Sequence, residues 1–191
     1  MLFSSIPFLY YFLPLVLIVY FAVPGKWKNG ALLLSSLIFY GWGEPIRIVF
    51  LLLAAYVGYL ACRIMDRYRG KAASKIALLF ALTVDIGLLL LFKYAGFFVS
   101  NVNFLLGTSI DFAGFALPLG ISFYTFQILS YVIDVYRGET AAQRSFPKLL
   151  LYVSLFPQLV AGPIERSANL LPQFHKTNKY WRYISTAKRF N

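Results

Sequence analysis

The sequence predicts an all-α, multi-spanning transmembrane helical bundle with short, broken or re-entrant segments, and three observations carry that prediction. Of the 191 residues, 60% are hydrophobic and 13% charged, which is more apolar surface than a water-soluble domain can hide. Residues 2–23 and 112–133 are each 22 residues without a charge, long enough to cross about 30 Å of hydrocarbon as helices. Shorter apolar runs recur between and after them, separated by charge clusters, which favours several spans over a string of soluble core helices. About five or six membrane segments are expected.

The first run has no basic residue before it and no small-residue cleavage site after it, so it is expected to stay as an anchor. Pro24-Gly25-Lys26-Trp27-Lys28-Asn29-Gly30 then combines helix breakers with charge and an interfacial tryptophan. The run 30–43 follows, closed by Gly41-Trp42-Gly43-Glu44-Pro45. Next come the run 48–62, a polar cytoplasmic loop over 63–75, and the run 76–92 with Asp85 near its middle. Residues 101–118 read as an outer loop or membrane-dipping segment, 112–133 as the second long span, and 149–164 as the last apolar run. Beyond Ile164 the composition turns basic, so 1–191 reads as a single membrane domain ending in a basic cytoplasmic segment over 165–191. The ending at Asn191, inside a polar stretch with no helix stop, reads as a cut chain.

The net charge of +11 is explained by topology. With the N-terminus outside the cytoplasm, the inward loops hold Lys26, Lys28, Arg63, Arg67, Arg69, Lys71, Lys75, Arg137, Arg144 and Lys148, and the outward loops only Arg47 and Lys93. That asymmetry follows the positive-inside rule and favours contact with anionic lipid; no nucleic-acid partner is expected. Cys62 is the only cysteine and His175 the only histidine, so neither an internal disulfide nor a metal site is expected.

Two stretches carry the candidate chemistry. In 118–136, Gln127, Ser130, Tyr131 and Asp134 stand at i, i+3, i+4 and i+7, on one helical stripe. Such a stripe should not face lipid: either it hydrogen-bonds to neighbouring helices, or it lines a wet substrate passage. In 155–165, Pro157 and Pro163, with Gly162 between them, preclude a regular helix. Broken backbone at membrane depth needs cover from protein or water, so this element is expected to enter the interior and present Gln158 and free carbonyls to a cavity, the alternative being an interfacial elbow. The candidate passage-lining set is Ser122, Gln127, Ser130, Tyr131, Asp134, Pro157, Gln158, Gly162 and Pro163.

Asp85 interrupts an apolar run, where an unpaired carboxylate costs about 2.5–3.5 kcal/mol. It must be neutral, paired or facing water, and a hydrogen-bonded structural role is favoured over a proton relay. His175 sits in a polar, basic setting and reads as a surface histidine rather than a general base.

The same stretches resemble the membrane-bound O-acyltransferase family, in the branch of the alginate O-acetyltransferase membrane subunit. The resemblance is carried by Met1-Leu-Phe-Ser-Ser5, Ser35-Leu-Ile-Phe-Tyr-Gly-Trp-Gly-Glu-Pro45, Phe92-Lys-Tyr-Ala-Gly-Phe-Phe98, residues 118–138 and, most specifically with the last of these, Phe156-Pro-Gln-Leu-Val-Ala-Gly-Pro-Ile-Glu-Arg166. It implies the N-terminal portion of a longer O-acetyltransferase of the bacterial inner membrane. In such an enzyme a cytoplasmic acyl donor, acetyl-CoA or another activated acyl group, meets an exported polysaccharide such as alginate, with extracytoplasmic partner proteins and no bound cofactor. The family's catalytic histidine falls in a later segment with no matching position here, so the chain would supply passage walls and be inactive alone. A polytopic transporter or polysaccharide-export component is the competing expectation, on the same polar stripe, Asp85 and broken segment.

Overall fold

Where water is excluded, a chain must satisfy its backbone groups internally, and this one does so with helices. A computed structural model describes residues 5–109, 111, 115, 117, 118, 120–159 and 167–171. Among them, every regular element is helical, as the composition predicts. The elements are α1 (Phe8–Ala22), α2 (Lys28–Gly43), α3 (Ile48–Arg67), α4 (Ala72–Leu106), α5 (Ile121–Arg137), α6 (Phe146–Ser154) and two short turns, α7 (Phe156–Leu159) and α8 (Ser167–Leu170). The opening turn of α1, Phe8–Phe12, is π-helical. Gly162, Pro163 and His175 lie outside the described residues.

Among the described residues, the two helices long and apolar enough to cross a membrane are α3, with 20 residues, and α4, with 35. At 1.5 Å per residue they reach about 30 Å and about 52 Å. The expected boundaries shift here. α3 continues through Arg63 and Asp66, while α4 runs through Asp85, Lys93 and Asn101. The loop expected over 63–75 therefore shrinks to the turn at 68–71, and the one expected from 101 begins only after Leu106. Lys and Arg are good helix formers whose stems extend along apolar surface, so charge alone does not stop a helix. Backbone geometry does, at Gly70 (φ 80°) and Gly107 (φ 61°).

The run 112–133 is likewise not one helix. α5 starts at Ile121, after Gly120 in the left-handed region at φ 70°, and extends past the run to take in Asp134 and Arg137. A count of uncharged residues does not register the turn at Pro118 and Gly120. It also misplaces the helix, which lies centrally: α5 packs against α3, α4, α6 and α8 and exposes only a stripe that includes Phe126 and Ile133.

Small residues make this packing tight. α3 buries Ala54, Ala55, Gly58, Ala61 and Cys62, and α4 buries Ser74, Ala77, Ala81 and Asp85 at helical spacing. Such stripes let backbones approach, as between membrane helices. A separate aromatic cluster joins α1, α2 and α7: Phe8 and Phe39 lie 5.4 Å apart and Phe12 and Phe156 5.7 Å apart, edge to face. Outside these contacts the surface is itself apolar, with Ile18, Phe21, Leu34, Val49, Leu79, Phe80 and Phe97 exposed. A surface of that kind suits lipid, not water.

Candidate functional site at the helix break

α6 ends where Leu155 leaves helical geometry at ψ 111°, and the chain re-enters a helix at Phe156-Pro157 in α7. Pro157 sits in the first turn of α7, where its missing N–H costs nothing. The break separates a pair that a continuous helix would join, the carbonyl of Tyr152 and the N–H of Phe156. Each finds a side chain instead. Gln127 on α5 donates from Nε2 to the Tyr152 carbonyl at 2.8 Å, and the Phe156 N–H donates to Ser36 Oγ on α2 at 3.4 Å. The Gln158 N–H then bonds the Leu155 carbonyl at 2.9 Å, closing the new turn. Both groups of the separated pair are satisfied by protein, which is the condition for breaking a helix at depth.

The rest of the α5 stripe serves its other end. The Tyr131 hydroxyl accepts the Gln143 N–H at 2.8 Å, and Asp134 Oδ2 accepts from Ser167 Oγ on α8 at 3.3 Å. The Asp134 carbonyl also receives the Glu139 and Thr140 amides as Gly138 (φ 81°) turns the chain out of α5. Gln127, Tyr131 and Asp134 are buried, whereas Ser130 and Ser122 are half-buried at the edge of the stripe. Gln158 is buried and Pro157 exposed. The structure thus brings Gln127 to the helix break that contains Pro157 and Gln158, and ties Tyr131 and Asp134 to the loop and helix beyond α5.

Sequence reasoning missed the partners, Ser36, Gln143 and Ser167, because single polar residues in unrelated segments carry no spacing signal. It also missed what surrounds Asp85. That carboxyl is fully buried on α4 and neither oxygen has a hydrogen-bond partner in the structure. Tyr124 lies within electrostatic reach of both Asp85 and Tyr40, and the two tyrosine hydroxyls are buried without partners as well. Ser154 Oγ and Gln158 Nε2, near the break, share that condition. Among the described residues, α2, α4, α5, α6 and α7 thus each bury a side-chain polar atom without a hydrogen-bond partner.

No family model matches the chain, and no solved structure matches it significantly. Curated relatives do. The chain is 38% identical over its whole length to the probable alginate O-acetylase AlgI of Azotobacter vinelandii, covering 39% of that protein. It is also 38% identical to the protein of the same name from Pseudomonas aeruginosa, covering 38% of it. The peptidoglycan O-acetyltransferase of Helicobacter pylori is 30% identical over 98% of the chain. Over its whole length the chain is thus homologous to bacterial O-acetyltransferases, as its resemblance to the membrane-bound O-acyltransferase family implies. It spans about two fifths of the length of these relatives. A membrane setting agrees with the apolar exterior and with the two helices, among the described residues, that are long enough to cross a bilayer.

Proposed function

We propose that the protein to which this chain belongs transfers acetyl groups to hydroxyls of an exported polysaccharide, and that the chain forms part of the membrane-embedded body around the transfer route. The observation that carries this reading is the identity of 38% across the entire chain to alginate O-acetylases. The peptidoglycan O-acetyltransferase among the relatives supports the same reaction class on a different glycan. A transport role draws no support from these relatives.

In this reading the chain is a multi-pass component of the bacterial inner membrane with its N-terminus outside. The basic turn after α3 and the loop after α5, which Arg137 and Lys148 flank, lie at one end of the bundle, where Tyr59 donates to the Arg144 carbonyl at 2.9 Å and Arg69 lies over Gly138. That shared end supports assigning both loops to the cytoplasm. The acyl donor is cytoplasmic, acetyl-CoA or another activated acyl group, and extracytoplasmic proteins assist at the acceptor. The lining set is the buried polar interior at the helix break, with Gln127 and Gln158 bordering it and Ser122, Ser130, Tyr131, Asp134 and Pro157 along its approaches. The protein walls keep water from a reactive acyl group.

Deleting the gene and measuring ester-linked acetate on the exported polysaccharide tests the reading. Acetate should vanish while polymer yield persists, and the full-length gene should restore it. Normal acetylation with a loss of exported polymer would establish export instead.

A further inference from the structure

We propose that Arg63, Arg67 and Arg144 form a binding site for the phosphate headgroup of an anionic phospholipid, at the end of the bundle where α3 meets the α5–α6 loop. The three side chains line one cavity of about 490 Å³ together with Leu60, Ile64 and Asp66. Arg63 and Arg67 stand one turn apart on α3, an arrangement of like charges that costs an isolated helix about 0.2–0.5 kcal/mol. Arg144 arrives from a different element, held there by the bond from the Tyr59 hydroxyl to its backbone carbonyl at 2.9 Å.

Three cations face one carboxylate, Asp66, in the lining, so the cavity keeps a net positive charge. Asp66 lies 3.9 Å from Arg69, on the other side of the turn. Among the described residues no carboxylate pairs with Arg63, Arg67 or Arg144; Arg67 only stacks near the Tyr68 ring at 5.9 Å. A topological signal alone requires basic residues in a loop. It does not require three guanidiniums to converge from two elements on one cavity. An anion with several acceptor oxygens does, since guanidiniums bind phosphate through paired N–H groups.

The second half of the cavity selects the source of that phosphate. Leu60 and Ile64 lie beside the arginines and are 41% and 42% exposed. They continue down α3 into the apolar outer surface at Leu53 and Val49. A ligand here meets charge at the helix end and hydrocarbon one turn further in, the profile of a phospholipid rather than of a soluble phosphate. This inference does not depend on the acetyl-transfer reading.

The test uses the full-length protein, purified and delipidated, with native mass spectrometry reading its binding of phosphatidylglycerol against phosphatidylcholine. Each guanidinium near an anionic headgroup is worth about 1 kcal/mol, or roughly fivefold in affinity. Arg63→Gln with Arg144→Gln should therefore weaken phosphatidylglycerol binding by roughly 25-fold and leave phosphatidylcholine unchanged. Arg144→Gln alone should give roughly fivefold. It keeps the Tyr59 bond, which uses the backbone, so it reports on binding even if the double variant fails to fold. Replacing both by lysine should give an intermediate loss, because charge remains and the fork is gone. Lys26→Gln, removing an exposed cation outside the cavity, should have no effect. An equal loss with Lys26→Gln would mean a diffuse field and overturn the site, as would undiminished binding in the arginine variants. Displacement of the lipid by millimolar inorganic phosphate or adenosine diphosphate would overturn the lipid as its ligand.

Discussion

The carbonyl of Tyr152 and the N–H of Phe156 stand four residues apart and bond to other partners, Gln127 and Ser36, because the helix that would join them breaks at Leu155. Two helices, α5 and α2, thus each hold one end of the break. Replacing Gln127 by Leu removes the donor to a buried carbonyl and should cost about 1–2 kcal/mol. Ser36→Ala removes a longer and weaker bond and should cost less. Thermal unfolding in detergent ranks the two; a smaller loss for Gln127→Leu than for Ser36→Ala would show that the break is held by other contacts.

At Gly58, α3 packs against α5 with no room for one more methyl group. A Cβ built on Gly58 would lie 2.7 Å from Ile128 Cγ2. Ile128 is β-branched and on a helix, so its methyl group has no alternative rotamer to move into. Gly58→Ala should cost about 1–3 kcal/mol through overpacking. Combined with Ile128→Ala, which alone opens a cavity and costs about 2–5 kcal/mol, the pair should lose clearly less than the sum. A double-mutant cycle measures that coupling, and simple additivity would mean that the helices separate rather than clash.

Much of this fold was legible in the sequence because lipid imposes a simple rule on composition. The apolar runs 48–62 and 76–92 lie inside α3 and α4, and the Pro-containing segment after Leu155 does break its helix. Boundaries were less legible. Charge resembles punctuation at Arg63 and Lys93, whereas positive-φ glycines at 70, 107 and 120 set the ends. The α5 stripe was visible by its spacing, since one helix has one period. Its partners, Ser36, Gln143 and Ser167, come from three other segments, and only tertiary structure selects them. The grouping of Asp85 with Tyr40 and Tyr124 was hidden for the same reason.

The Tyr131 hydroxyl anchors the loop after α5 through the Gln143 N–H. Tyr131→Phe keeps the ring, which is fully buried, and removes the hydroxyl, which also meets the Cys62 thiol. The loss of one neutral bond, about 1 kcal/mol, should raise hydrogen exchange at the Gln143 amide by roughly fivefold while exchange in the middle of α3 stays unchanged. Uniform acceleration across both sites would mean global destabilisation instead. The same variant should leave Arg144 less well held and weaken phosphatidylglycerol binding slightly.

Asp85 makes the sharpest stability prediction because its carboxyl has burial without hydrogen bonds. Removing one member of a satisfied pair destabilises, but replacing an unsatisfied buried polar group by an apolar group of similar size is neutral or stabilising. Asp85→Leu should therefore hold or raise the thermal midpoint of the purified protein, by the equivalent of up to about 1–2 kcal/mol. Tyr124→Phe, which deletes a nearby hydroxyl that also lacks a partner, should be close to neutral. If the interior at Asp85 is occupied by bound water or by another polar group, both substitutions should destabilise, Asp85→Leu by several kcal/mol. The direction of the Asp85→Leu shift thus decides whether this carboxyl is a burden that the fold tolerates or a partner that it needs.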